Sequence, residues 1–114
     1  TFTPHLIPMF RGILSTIYLD LKKNVSIYRI QNILKRYYKK NKFIKILPLN
    51  TLIGTREVMK TNNCYISLCK TRYKNKVILL SAIDNLIKGG AGQAVQNMNL
   101  KFGINEYEGL KWEK

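Results

Sequence analysis

From Ile13 the chain alternates. Ile13, Ser15, Ile17, Leu19 and Leu21 fall on one side of an extended backbone, and Leu14, Thr16, Tyr18 and Asp20 on the other. That period of two predicts a strand whose odd-numbered face is the more buried. Upstream, residues 2–10 form an apolar run that Pro4 and Pro8 hold out of a helix. The period then lengthens. Residues 26–40 predict a helix with Ser26 as N-cap, Val25 stapled to Ile30, and a buried stripe of Ile27, Ile30, Leu34, Tyr37 and Tyr38. Lys39 and Lys40 suit the negative end of its dipole, and Asn41 is a stop. Phe43 to Leu47 predicts a short strand ended by Pro48, and residues 48–63 a loop. Residues 64–70 and 77–84 predict two strands joined by the polar turn from Thr71 to Lys76. The run Val77-Ile78-Leu79-Leu80 reads as a strand covered on both faces. Last, Ala91, Ala94, Val95, Met98 and Phe102 recur at helical spacing, with Gly103 as the stop. The tail 104–114 is polar apart from Leu110 and Trp112.

The predicted order of elements is strand, helix, strand, loop, strand, strand, helix. That is an α+β fold with a sheet backed on one face by helices. A chain of 114 residues suffices for one domain, and 46% hydrophobic with 23% charged residues is a globular composition. It opens on Thr1 and an apolar run, so we expect sequence upstream of it. The net charge of +14 raises a nucleic-acid surface as one reading. Lysine outnumbers arginine fifteen to five, and asparagine and isoleucine are abundant too. A composition drawn toward A- and T-rich coding gives the same excess, and we favour it because the bidentate arginine is scarce. Cys64 and Cys69 are five apart, hence on opposite faces of a strand, and are expected to be reduced thiols. No metal-ligand spacing or membrane-length apolar run is present in the sequence.

Gly89, Gly90 and Gly92 stand at the start of the last helix. Glycines there let a ligand or another element approach bare backbone near free amides and a positive dipole; tight helix-on-sheet packing explains them equally well. Their spacing is not a dinucleotide fingerprint. Arg11 beside Gly12 would present its fork to a carboxylate or phosphate, or else tie its loop to a neighbouring carboxylate. Arg56 is a weaker case of the same kind. His5, the single histidine, would line a pocket or pack in its loop, or shuttle protons.

Two blocks carry a resemblance. Asp84-Asn85-Leu86-Ile87-Lys88-Gly89-Gly90-Ala91-Gly92-Gln93-Ala94-Val95-Gln96-Asn97-Met98-Asn99 resembles the C-terminal signature of the N-acetyl-gamma-glutamyl-phosphate reductases. Phe2-Thr3-Pro4-His5-Leu6-Ile7-Pro8-Met9 with Arg11-Gly12-Ile13-Leu14 resembles a second block of that family, and Phe102-Gly103 with Glu108-Gly109-Leu110 its end. Residues 22–76 match in pattern more than in letters.

The resemblance implies the distal part of a glyceraldehyde-3-phosphate-dehydrogenase-like catalytic and dimerisation domain over residues 1–114. Residues 84–103 would be a cofactor-facing terminal helix packed on a Rossmann domain absent from this chain. It implies a cytoplasmic, NADP-dependent oxidoreductase of arginine biosynthesis acting on an acyl phosphate and assembled as a dimer or tetramer, with neither nucleic acid nor membrane as partner. Asn85, Gly89, Gly90 and Gly92 would face the cofactor; Arg11 and His5 would bind substrate. The family's nucleophilic cysteine lies in a proline-glycine-cysteine motif and its acid/base histidine in a His-Arg-His segment. Cys64 follows Asn63 and Cys69 follows Leu68, so neither cysteine matches, nor does His5, and the catalytic residues are expected upstream. A related semialdehyde dehydrogenase, such as aspartate-semialdehyde dehydrogenase, and a stand-alone basic binding or dimerisation module are the alternatives.

Overall fold

The computed structural model describes residues 1–111; Trp112 and the last part of the tail lie outside the described residues. The elements are strand β1 (Ile13–Asp20), helix α1 (Ile27–Tyr37), strands β2 (Ile44–Ile46), β3 (Cys64–Lys70) and β4 (Lys76–Ile83), and helix α2 (Gly92–Lys101). The four strands form one mixed sheet in the order β1-β4-β3-β2. β4 is antiparallel to both β1 and β3, and β2 is parallel to β3. The predicted fold class and element order are those observed.

The register places Ile17 opposite Leu79 and Leu79 opposite Leu68, so these share one face. On that face Ile27, Leu68 and Val77 are buried, with Ile30, Leu34, Leu21, Leu49 and Leu79 packed around them. This is where α1 lies. Ser26 caps the helix as expected, its Oγ accepting from the Arg29 amide at 3.2 Å. The buried stripe differs from the expected one. Gln31, one turn after Ile27, is buried and donates to the Leu47 carbonyl at 2.9 Å, whereas Tyr37 is exposed. A glutamine that finds a carbonyl partner can hold a core-facing position, while Tyr37 lies past the edge of the sheet's cover.

The opposite face carries Ala82, Tyr65 and Leu80, and residues 48–63 cover it through Ile53 and Val58. That segment is a loop, as expected, but its end is core: Val58, Thr61, Asn62 and Asn63 are all buried. Some of these polar groups bond locally and across the fold, Thr61 Oγ1 to the Val58 carbonyl at 2.8 Å and Asn62 Nδ2 to Gln96 Oε1 at 3.0 Å, whereas Asn62 Oδ1 is buried without a hydrogen-bond partner among the described residues. Cys64 and Cys69 are free and half-buried.

The odd face of β1 is only partly covered. Ser15 and Leu19 are half-buried, but Ile13 and Ile17 stay exposed. β1 is an edge strand, and α1 does not reach its far end.

α2 turns differently from expectation. Its inward residues are Gly92, Gln96 and Asn99, and the apolar stripe of Ala91, Ala94, Met98 and Phe102 points outward. Only Val95 of that stripe is half-buried. The helix ends at Gly103 (φ +70), as expected. The Ile104 amide donates to the Asn99 carbonyl at 2.8 Å and the Gly103 amide to the Leu100 carbonyl, a complete Schellman motif.

Candidate functional site

The site grows from Asp84, the residue after β4, which is fully buried. Its Oδ1 accepts from the amides of Leu86 (2.8 Å) and Ile87 (3.0 Å). That bends the chain out of the sheet and starts the turn leading to α2. Its Oδ2 accepts from Arg11 Nη1 at 2.8 Å and from the Lys60 amide at 2.7 Å. One carboxylate thus ties together the N-terminal segment, the end of the 48–63 loop and the turn before α2. Burial alone would raise its pKa. The Lys60 amide, the Arg11 guanidinium and the Ile87 and Leu86 amides outweigh burial and hold the pKa below its ordinary value.

The turn itself is wider than an α-helical one. Gly89 donates to the Asp84 carbonyl (2.9 Å) and Ala91 to the Leu86 carbonyl (3.1 Å), both five residues back. Residues 87–91 form this π-type turn, and the backbone at Gly90 is not helical. The terminal helix expected over 84–103 is therefore corrected: α2 begins at Gly92, because the Asp84 carboxylate and carbonyl engage the intervening amides in a turn of their own.

The three glycines separate. Gly89 and Gly90 are exposed, presenting bare backbone at the surface. Gly92 is buried, and a Cβ there would lie 2.4 Å from Asn62 Oδ1 and 2.6 Å from Ile87 Cγ2. Packing accounts for Gly92.

Asn85 lies beside this turn, and its Oδ1 accepts from the Gly12 amide at 2.7 Å. Gly12 has φ +113, and a Cβ on it would come within 2.3 Å of Thr55 Cβ, so only glycine lets the N-terminal segment cross the loop here. Arg11 takes the carboxylate-tying role, its partner being Asp84. His5 is exposed, its Nδ1 3.2 Å from the Thr3 carbonyl, and it does not reach this cluster.

Between residues 9–11 and the loop residues Thr55, Arg56, Met59 and Lys60 lies an open cavity of about 510 Å³. Arg11 and Arg56, read separately in the sequence, line it together. Sequence reasoning missed two members of the site, Asp84 and Lys60. Asp84 carried a signal, an aspartate directly before a turn-forming asparagine. Lys60 carried none; its backbone is left-handed (φ 61).

Below the turn a second polar group forms. Lys88 Nζ donates to Gln96 Oε1 at 2.7 Å and sits 5.3 Å over the Phe43 ring. Burial pushes its pKa down, and the neighbouring Cys64 and Glu106 offset this in part.

With this geometry in hand, the chain belongs to the semialdehyde dehydrogenase dimerisation domain family, whose model matches residues 1–85. Its relatives include proteins named N-acetyl-gamma-glutamyl-phosphate reductase. Those of Vesicomyosocius okutanii (51% identical over 96% of this chain), Halothermothrix orenii (49% over 97%) and Campylobacter jejuni subsp. doylei (52% over 97%) are among them. The chain spans 31–32% of the length of these relatives. Among the described residues no helix is long and apolar enough to cross a membrane.

Proposed function

We propose that this chain forms part of the catalytic and dimerisation domain of a cytoplasmic, NADP-dependent reductase. The reaction is conversion of N-acetyl-glutamyl 5-phosphate to the 5-semialdehyde, in arginine biosynthesis. The observation that carries the reading is the identity of about half of all positions, over nearly the whole chain, with relatives named for that reaction. Bound NADPH supplies the hydride. In this reading the nucleophilic cysteine and the acid/base histidine lie outside these 114 residues.

This chain's residues then bind and orient. Asn85 Oδ1 is held by the Gly12 amide, so a nicotinamide carboxamide would meet its Nδ2 group. Exposed Gly89 and Gly90 would leave room for the cofactor beside their backbone, and Gly92 lets α2 pack closely on Asn62 and Ile87. The outward apolar stripe of α2 is where a nucleotide-binding domain would pack. Arg11, and His5 from its loop, would meet the substrate. The assembled protein is a homo-oligomer built through the sheet.

The test is an assay of the full-length protein with NADPH and N-acetyl-glutamyl phosphate, or in reverse with the semialdehyde, phosphate and NADP. Turnover is expected there and none from the 114-residue chain alone. Turnover with aspartyl phosphate in its place would move the assignment to a related dehydrogenase. Full-length protein inert toward both acyl phosphates would refute the reading.

A further inference from the structure

Asn85 is polarised by its neighbour. The Gly12 amide is a donor, so the atom it meets at 2.7 Å is the side-chain oxygen. The residue is half-buried, and its Nδ2 group has no acceptor among the described residues. The side chain therefore offers donors, and no acceptor, to whatever stands in front of it. That polarity lasts only while the Gly12 amide keeps its place.

Three contacts keep it there. Ile13 pairs with Ile83, so Gly12 and Asn85 leave the same end of the β1 and β4 ladder. Arg11 Nη1 donates to Asp84 Oδ2 at 2.8 Å, one residue before Asn85. Thr55 lies so close that a Cβ on Gly12 would come within 2.3 Å of Thr55 Cβ. Thr55 is itself fixed. Its carbonyl accepts from the Val58 and Met59 amides at 3.2 and 3.1 Å, and the turn ends on the Lys60 amide, which donates to the same Asp84 Oδ2 at 2.7 Å. Both routes return to one fully buried carboxylate.

We propose that Asp84, Arg11 and Thr55 are positioning residues for the cofactor. They fix the Gly12 amide, which turns Asn85 so that only Nδ2 faces the nicotinamide and reads the carbonyl oxygen of its carboxamide, not the amino group. The identity of the ligand rests on the proposed function. Arg11 acts here through Gly12 and Asn85, without touching the cofactor.

The experiment is a calorimetric titration of the full-length protein, without acyl phosphate, using NADP and its 3-acetylpyridine analogue. The analogue keeps the carbonyl oxygen and lacks the amino group. Asn85→Ala is expected to weaken both cofactors alike, by about five- to ten-fold. Arg11→Gln should weaken NADP by about three-fold, yet change nothing further in the Asn85→Ala background, because its effect passes through that side chain. Arg11→Lys, which keeps the charge facing Asp84, recovers part of the loss. Thr55→Gly removes the contact on Gly12 and leaves the Arg11 to Asp84 bond in place, so it should show the same non-additive pattern. Additive losses, unchanged affinity in both Arg11→Gln and Thr55→Gly, or an analogue indifferent to Asn85→Ala overturns the proposal. The outcomes separate from those of the reductase assay. The expected coupling in a protein inert toward acyl phosphates leaves the positioning role standing and removes the reductase. Turnover with additive losses does the reverse, and a parent protein that binds neither cofactor removes both.

Discussion

Asp84 is the residue on which three segments depend. Its two oxygens accept four hydrogen bonds from four different residues. Replacing it with asparagine leaves Arg11 without its counter-charge and sets an NH₂ group against two donors. We expect Asp84→Asn to lower stability at neutral pH by about 2–4 kcal/mol in urea unfolding; a loss below half a kcal/mol would mean the charge is not needed. The same group fixes an acid response. Its folded pKa lies below its unfolded value, so between the two the unfolded chain binds more protons. The stabilisation is complete above the unfolded value and is lost as pH falls through the folded one. Urea midpoints measured down through the carboxylate range should therefore fall more steeply in the parent than in Asp84→Asn. At this scale the sequence was half legible. Arg11 announced a search for an anion, but nothing in one dimension tells a substrate carboxylate from Asp84, 73 positions away. The left-handed backbone at Lys60 was invisible, since the residue types that signal it, Gly54, Asn62 and Asn63, stand elsewhere in the loop.

Elements were read more fully than residues. The cap at Ser26, the β3–β4 hairpin and the stop at Gly103 follow from local chemistry, and local chemistry is what a sequence displays. Ser26→Ala should cost about 1 kcal/mol, measured by thermal or urea unfolding, with no change in β-sheet content. The helical period of Ala91, Ala94, Met98 and Phe102 was also correct as a period. Which side that face would meet was not given by it. Periodicity defines a stripe, and the neighbour that covers it is a tertiary fact. α2 buries Gln96 and Asn99 because they have partners, Asn62 and Lys88 for the first and the tail carbonyls of Glu106 and Glu108 for the second.

At the scale of the whole molecule, much apolar surface faces outward. Phe2, Leu6 and Phe10 on the N-terminal segment, Leu14 and Tyr18 on β1, and Met98 and Phe102 on α2 are all exposed. Leu14 and Tyr18 share the sheet face that the 48–63 loop covers only near β3 and β4. The family model that matches is a dimerisation domain, so this uncovered end is the surface to test as a contact between copies. Tyr18→Lys is expected to shift sedimentation velocity profiles toward monomer while leaving the circular dichroism spectrum unchanged. An unaltered profile would place the contact elsewhere. The +14 charge showed little of this organisation. Several lysines lie over aromatic rings, Lys42 with Tyr107, Lys45 with Tyr65 and Lys70 with Tyr28, so they are scattered among local contacts.

The Asp84 junction also has a consequence in time. The hairpin of β3 and β4 closes over a short turn, but the bond from Arg11 to Asp84 joins residues 73 apart. Closing so long a loop carries a larger entropic cost, and the bond gives nothing back until the sheet it rests on exists. The N-terminal segment should therefore dock after the main folding barrier and come away before it in reverse. Stopped-flow measurements on Arg11→Gln should show faster unfolding with an unchanged refolding rate. The segment that helps wall the cavity would then be the last part of the chain to settle and the first to leave.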